Sequence, residues 1–280
     1  MAERNLNFDE IVERRGTDCL KYDFAKRRGK PADVLPLWVA DMDFEVPPEL
    51  KQILLDRVNH GVFGYTESDD EYFKVLQNWF TTRFNWTPEQ KWLVKTPGIV
   101  FALAMAVRAF TNEGEGVLIN QPVYYPFSMV IDDNDRRLIN VPLIKGEEKY
   151  TIDFEGIERA IVEENVTLFL LCNPHNPVGR VWTEDELKRL GDICIKHNVL
   201  IVSDEIHADF VWKGHTHKVF ADLGESYAEH CIVCTAPSKT FNIAGLQVSN
   251  IFIPNDSLRR RFIKEIDRAG YSQLNTMGLV

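Results

Sequence analysis

Lys239 is the residue whose type and position most clearly indicate chemistry. It lies in the segment Thr235–Leu246, which is rich in small and polar residues, and it follows the apolar, strand-like run Cys231–Thr235. A lysine in such a place can be held close to its neutral form, and a neutral amine can attack a carbonyl group to form a Schiff base. This part of the chain therefore predicts a nucleophilic lysine.

Two other polar loops follow apolar runs in the same way. Asn173–Gly179 follows residues 166–172, and Asp204–His207 follows residues 199–203. In an open α/β sheet, ligands bind at the carboxyl ends of the strands, so three such loops indicate a ligand site. The residue types suit pyridoxal 5'-phosphate (PLP), an aldehyde that would be carried as an imine on Lys239.

Each part of PLP needs a particular partner. Its pyridine nitrogen withdraws electrons while protonated, which requires a buried carboxylate such as Asp204. Asn176 can donate to the phenolic oxygen of the ring. Residues 96–110 read as a helix, and Gly98 near its start lets backbone N–H groups approach the phosphate. Taken singly, each feature has an ordinary explanation: Lys239 as a loop lysine, Asn176 as a turn residue, Asp204 as a helix cap and Gly98 as a glycine at the boundary of an element. Their order and placement together favour the cofactor site.

The sequence resembles the PLP-dependent fold-type I enzymes of the class I/II aminotransferase superfamily. Within it, the chain is similar to the carbon–sulfur lyases, a subgroup with cystathionine β-lyases, cysteine desulfhydrases, cystalysin and the maltose-regulon modulator. The resemblance runs from the N-terminus to residue 280. It rests on six segments: Leu37–Phe44, Phe63–Thr66, Gln121–Phe127, Asn173–Arg180, Ser203–His207 and Ser238–Asn242.

The resemblance implies a role for each matching residue around the cofactor ring. Lys239 matches the Schiff-base lysine, Asp204 the partner of the pyridinium nitrogen, and Asn176 the partner of the phenolate oxygen. Tyr124 matches the aromatic residue that stacks on the ring and assists proton movement. His207 matches the position beside the ring oxygen where many aminotransferases have a tyrosine.

The resemblance also implies phosphate, subunit and substrate contacts. The phosphate is expected to be bound at three matching positions: Ile99, Val100 and Ser238. Tyr65 matches a tyrosine that reaches the phosphate in the neighbouring subunit of a homodimer. Val39 and Ala40 match the N-terminal segment that closes over a small amino-acid substrate.

Apolar runs that alternate with helical patterns predict an α/β fold with a mostly parallel sheet. The resemblance implies seven strands with helices on both faces, in a large PLP-binding domain over residues 47–280. Residues 1–46 would belong to a small domain whose C-terminal part is absent, so the chain is expected to be C-terminally truncated and that domain incomplete. The family's arginine for the substrate carboxylate falls in the absent part, which leaves open how active the 280-residue form is.

The leading functional hypothesis is a carbon–sulfur β-lyase that converts an L-amino acid with a sulfur leaving group to pyruvate, ammonia and a thiol. Gln247 stands where many aminotransferases have a phosphate-binding arginine, which favours the lyase. The alternatives are an aminotransferase, which uses the same cofactor, and a non-catalytic or regulatory protein of this fold.

Composition excludes several other classes. The net charge of −10 argues against binding to nucleic acid or anionic membranes. No apolar stretch is long enough to span a bilayer, and the N-terminus lacks the apolar core of a signal peptide, so a cytoplasmic location is expected. Cys231 and Cys234 should point to opposite faces of a strand and pack in the core. His215 and His217 are expected in a surface loop, and no metal site is predicted.

Overall fold

The computed structural model describes residues 7–280, in which strands and helices alternate along the chain. The strands are β1 (Leu93–Thr96), β2 (Gly116–Ile119), β3 (Arg137–Asn140), β4 (Ile144–Lys145), β5 (Tyr150–Thr151), β6 (Val166–Cys172), β7 (Leu200–Asp204), β8 (Cys231–Thr235) and β9 (Ser249–Phe252). The helices are α1 (Pro48–His60), α2 (Asp70–Phe84), α3 (Ile99–Phe110), α4 (Pro126–Asp132), α5 (Phe154–Glu163), α6 (Glu184–Lys196), α7 (Glu225–Ala228), α8 (Asp256–Arg268) and α9 (Thr276–Leu279).

The central sheet has seven strands in the order β1-β9-β8-β7-β6-β2-β3. The pairs β2–β3, β2–β6, β6–β7 and β7–β8 are parallel, whereas β9 is antiparallel to both of its neighbours. The predicted α/β class and the mostly parallel, seven-stranded sheet are confirmed. Because β6, β7 and β8 are adjacent and parallel, the polar loops that follow them meet at one edge of the sheet.

Helices cover both faces of the sheet and create two apolar cores. On one face α2, α5 and α6 pack on strand residues such as Phe169, and on the other α3, α4 and α8 pack on residues such as Leu168. Cys231 belongs to the first core and Cys234 to the second. The prediction that these cysteines pack on opposite faces is confirmed, and it follows from the two-residue repeat of a strand.

Two helix starts are capped by side chains. The Asp69 carboxylate accepts hydrogen bonds from the backbone N–H groups of Glu71 and Tyr72 at the start of α2. Thr183 and Glu186 form a reciprocal capping box at the start of α6. Such caps satisfy N–H groups that have no partner within the helix.

Some elements were not predicted or begin elsewhere. β1 contains only four residues, of which Lys95 and Thr96 are polar, so it lacks the long apolar run of a central strand. The β4–β5 hairpin pairs two residues from each strand. The helix predicted over residues 96–110 begins only at Ile99, after the extended Gly98.

The segment that precedes α1 is tied to the loop that carries Lys239. The Asn242 side chain accepts a hydrogen bond from Met42 N at 2.9 Å and donates to Met42 O at 3.1 Å and to Phe44 O at 2.9 Å. Arg14 and Lys21 hold the carboxylates of Asp41 and Asp43 in the same segment. Within residues 7–280, no helix is both long and apolar enough to cross a membrane.

Candidate active site

Most of the predicted site residues line a single cavity of about 550 Å³ at the carboxyl ends of β6, β7 and β8. They are Val39, Ala40, Ile99, Val100, Tyr124, Asn176, Asp204, His207, Ser238 and Lys239. Tyr65 is 94% exposed and does not line this cavity. The structure therefore brings together the residues predicted for one subunit and leaves apart the residue predicted to serve a neighbour.

Asp204 is the last residue of β7, in register with Cys172 on β6 and Cys234 on β8. Its carboxylate is buried and accepts a hydrogen bond from Ile206 N at 3.2 Å. Burial in this apolar setting raises the pKa of Asp204 to about 7, because the charged carboxylate loses solvation that nearby groups replace only in part. A cationic partner in the cavity would stabilise its ionised form.

Lys239 lies in the tight loop between β8 and a short 3-10 helix, Ala244–Leu246. The loop is closed by hydrogen bonds from Phe241 N to Pro237 O and from Ile243 N to Ser238 O. Burial lowers the pKa of Lys239 below its ordinary value, while the negative charges of Asp41 and Asp204 oppose this effect. Its amine is thus easier to deprotonate than a surface lysine, as a nucleophile or a base requires.

The loops that carry Tyr124 and Asn176 are joined by two hydrogen bonds. Tyr124 N donates to Asn176 O at 3.0 Å. The buried ring of His175 bonds Pro122 O through Nε2 at 2.9 Å. Because a carbonyl oxygen only accepts, Nε2 must carry the proton, and burial lowers the pKa of His175 so that the ring stays neutral. The two loops are thereby held together at the cavity that Tyr124 and Asn176 both line.

The start of α3 forms another part of the cavity wall. Gly98 precedes the helix in an extended conformation, and no side chain caps the first turn. The free N–H groups of that turn and the positive end of the helix dipole favour an anion near Ile99 and Val100. Ser238 also lines this cavity, so the three positions predicted to bind a phosphate are found in one site.

His207 and the segment around Val39 complete the lining. Burial lowers the pKa of His207, so its ring is neutral near pH 7. Val39 has a φ of 62°, which is a strained conformation for a β-branched residue. Trp38 and Cys172 also line the cavity, although neither was selected as a site residue from the sequence. Cys172 could have been found because it ends β6, as Asp204 ends β7.

The prediction of a surface loop for His217 is wrong, whereas His215 is exposed. His217 Nε2 lies 2.8 Å from Glu205 Oε2, and both side chains are only 1% exposed. Glu205 also accepts hydrogen bonds from Ser203 Oγ at 3.0 Å and from Phe220 N at 2.9 Å. The loop that contains His217 therefore folds inward because Glu205, the residue after Asp204, needs buried donors.

Replacing Glu205 with alanine is expected to destabilise the protein by about 3 to 5 kcal/mol, because the buried partners of the carboxylate would lose their acceptor. The measurement is urea unfolding of the two proteins. Glu158→Ala is the matched control, since Glu158 pairs with His197 at the surface, and it should cost little. Equal losses in the two variants would show that the Glu205 pair does not anchor the end of β7.

A second cavity, of about 500 Å³, lies on the other side of the Lys239 loop. Its lining includes Tyr72, Trp79, Phe80 and Phe241, and none of the predicted site residues. Over residues 7–280 there is also no cluster of three or more histidine, cysteine or acidic side chains able to hold a metal ion. Arg268 pairs with Glu265 and does not line the first cavity.

The chain is similar to a protein family, to curated proteins and to solved structures. The family model for aminotransferase class I and II matches residues 32–278. Cystathionine beta-lyase PatB of Bacillus subtilis (strain 168) is 43% identical over 274 residues, which are 98% of this chain and 71% of that protein. Two solved structures each cover 98% of the chain. A PLP-bound putative aminotransferase from Clostridium difficile 630 has a TM-score of 0.95, 42% identity and 71% of its own length covered. Cystalysin from Treponema denticola, which contains PLP, has a TM-score of 0.93, 41% identity and 70% covered.

Proposed function

Because the chain belongs to the aminotransferase class I and II family, we propose that it is a PLP-dependent carbon–sulfur β-lyase. Its substrate would be an L-amino acid with a sulfur leaving group on Cβ, and its products a thiol, pyruvate and ammonia. The observation that carries the proposal is the single cavity in which Lys239, Asp204, Asn176 and the start of α3 meet.

The residues of this cavity fit PLP group by group. Lys239 supplies an amine of lowered pKa for the aldehyde. Asp204 is a buried carboxylate whose raised pKa shows that it lacks a sufficient counter-charge among the protein groups, and a protonated pyridine nitrogen would supply one. The uncapped first turn of α3 suits the phosphate. Tyr124 offers a ring face and Asn176 an amide donor.

When bound, PLP draws electrons from the substrate Cα, which makes the proton on that carbon acidic. Lys239 then acts as the general base that accepts this proton, a role suited to its lowered pKa. The Cβ–S bond breaks with its electron pair moving to sulfur, and the thiolate takes up a proton. The 2-aminoacrylate that remains is released and reacts with one water molecule to give pyruvate and ammonia. Tyr124 holds the ring plane in place, while the segment of Val39 and Ala40 excludes water from the substrate side.

The relatives and one site residue support elimination over transamination. The Bacillus subtilis relative is named a cystathionine beta-lyase, and so is a relative from Corynebacterium glutamicum that is 34% identical. In this chain Gln247, which lines the cavity, stands in place of the arginine common in aminotransferases. The similar Clostridium difficile structure is named an aminotransferase, so transamination is the second candidate.

The two candidates are separated by their products. Purified protein with PLP is incubated with cystathionine alone, and separately with an amino acid and a 2-oxo acid. We expect pyruvate and a thiol to form in the first mixture, at a rate well above that of new amino acid in the second. Faster amino-group transfer would assign the protein to the aminotransferases, and binding of PLP without either reaction would favour a non-catalytic role.

A homodimer is proposed from the surface around α1. Within the described residues this helix has no buried side chain. Its apolar residues Ile53, Leu55 and Val58 are each nearly half exposed. Phe63 and Tyr65 extend the apolar surface beyond the helix. Such a surface is typical of a contact between subunits. A second copy would cover it and receive Tyr65 at its phosphate site.

Mixing two inactive variants tests whether Tyr65 serves the partner. A hybrid of a Lys239→Ala chain and a Tyr65→Ala chain would have one site with both lesions and one intact site. Random reassociation of equal amounts should then restore about a quarter of wild-type activity, as two-fold symmetry requires. Activity no higher than that of the separate variants would place Tyr65 in its own subunit's site or in none.

We also propose a cytoplasmic location. All five cysteines are free thiols, and four of them are buried. Unpaired thiols suit a reducing compartment.

A further inference from the structure

Arg28 is a charged residue of the cavity that the proposed mechanism does not use. Within the described lining, the formal charges are carried by Asp204, Lys239 and Arg28. The first two have roles toward the cofactor. Arg28 forms no ion pair with any described residue, and its side chain is exposed to solvent at the cavity. Its guanidinium is therefore available to a ligand.

The backbone around Arg28 is fixed. A short 3-10 helix, Lys26–Arg28, ends at Gly29, whose N–H bonds Lys26 O at 3.0 Å. Arg28 N and Lys30 N both bond Ala25 O at 3.0 Å. The neighbouring Arg27 is engaged elsewhere, since its guanidinium lies 4.7 Å from the centre of the Phe24 ring. The turn thus presents one of two adjacent arginines to the cavity.

The cavity has two chemically different walls. The ends of β6, β7 and β8 and the start of α3 supply the residues assigned to the cofactor. A second wall comes from the N-terminal part of the chain and contains Arg28 with the apolar residues Leu20, Leu37 and Trp38. The turn that carries Arg28 has the sequence Lys-Arg-Arg-Gly-Lys over residues 26–30, a positive cluster in a chain of net charge −10.

We infer that Arg28 selects substrates whose sulfur leaving group carries a carboxylate. The apolar residues of this wall accommodate the carbon chain beyond sulfur, and the guanidinium pairs with the carboxylate at its end. Arginine suits this task because its planar fork can donate two parallel hydrogen bonds to one carboxylate. This inference rests on the proposed lyase function and adds a substrate class to it.

The test uses two substrates that differ only in charge. S-(2-carboxyethyl)-L-cysteine carries the carboxylate, and S-(2-carbamoylethyl)-L-cysteine carries a neutral amide of the same shape. Arg28→Gln is expected to lower the ratio of kcat/KM for acid over amide about fivefold, the effect of one partly solvated ion pair. Arg28→Glu should lower it further. Arg27→Gln removes the same charge away from the cavity and should keep the wild-type ratio.

Equal losses for the acid and the amide would overturn the inference, because Arg28 would then act on a group that both substrates share. An unchanged ratio in Arg28→Gln would overturn it as well. If neither substrate is cleaved, the cystathionine assay decides the lyase proposal, and binding decides the inference separately. The probes are L-2-aminopimelate and the uncharged-chain analogue L-2-aminoheptanoate, titrated into PLP-loaded protein. Tighter binding of the first, lost in Arg28→Gln, supports the role, and equal affinities in the wild type refute it.

Discussion

Replacing Lys239 with alanine is expected to reduce the elimination rate by about 10⁴-fold, the upper range for loss of a general base. The variant removes both the amine that would hold the aldehyde of PLP and the acceptor of the Cα proton. The measurement is pyruvate formation from cystathionine. Lys264→Ala, on the exposed side of α8, is the matched control and should retain wild-type turnover.

A chemical readout tests the same assignment independently of turnover. Borohydride treatment of the PLP-loaded protein should fix the mass of the cofactor on the peptide that contains Lys239. In Lys239→Ala no peptide should carry that mass. Added methylamine should restore part of the lost activity, since it returns a small base to the cavity. Labelling of another lysine in the wild type would disprove the assignment.

Replacing Asp204 with asparagine is expected to lower elimination by about 10² to 10³-fold, the usual loss when one preorganised electrostatic contact is removed. The amide keeps the shape of the carboxyl group but cannot hold a protonated pyridine nitrogen. PLP should remain bound through Lys239, which its visible absorbance will report. Unchanged turnover would mean that another group holds the ring nitrogen.

The same substitution should have the opposite effect on the stability of cofactor-free protein. The pKa of Asp204 rises on folding from 3.8 to about 7, so the folded state binds more protons than the unfolded state between these values. Stability contributed by the protonated form is thus complete below about pH 4 and is lost as the pH rises through about 7. At 1.36 kcal/mol per unit, the loss approaches about 4 kcal/mol.

Urea unfolding of the cofactor-free proteins at pH 4 and pH 8 checks this expectation. Asp204→Asn has no titrating group at this position, so its free energy of unfolding should exceed that of the wild type at pH 8. The difference between the two proteins at pH 8 should be several times their difference at pH 4. Addition of PLP should narrow the difference at pH 8, because a cationic partner stabilises the ionised carboxylate. A stability difference between the two proteins that does not depend on pH would show that Asp204 is already ionised in the folded protein.

The elements with strong local signals were predictable from the sequence. The capping residue Asp69 and the Thr183–Glu186 box mark helix starts through hydrogen bonds within one turn. The runs that became β6, β7 and β8 are continuous and apolar because both faces of the sheet are covered. The polar residues after these runs were therefore placed at one edge, where the structure forms a cavity around Asp204 and Lys239.

The features that escaped prediction depend on contacts between distant parts of the chain. The burial of His217 follows from its pairing with Glu205, and a short sequence between two lysines gives no sign of that partner. β1 is a strand because it pairs with β9, although more than a hundred residues separate them. The position of Arg28 at the cavity likewise depends on how the N-terminal segment is held by Asn242 and its neighbours.

The placement of the cysteines gives this protein a built-in pair of reporters. Cys231 and Cys234 are fully buried on the same strand, one in each of the two cores. A thiol reagent can reach either of them only when the corresponding layer of helices opens. The rates at which mass spectrometry detects labelling of the two thiols therefore measure the opening of each layer separately. A ligand that stabilises one layer should slow the labelling of the thiol beneath it, which identifies that layer without an added probe.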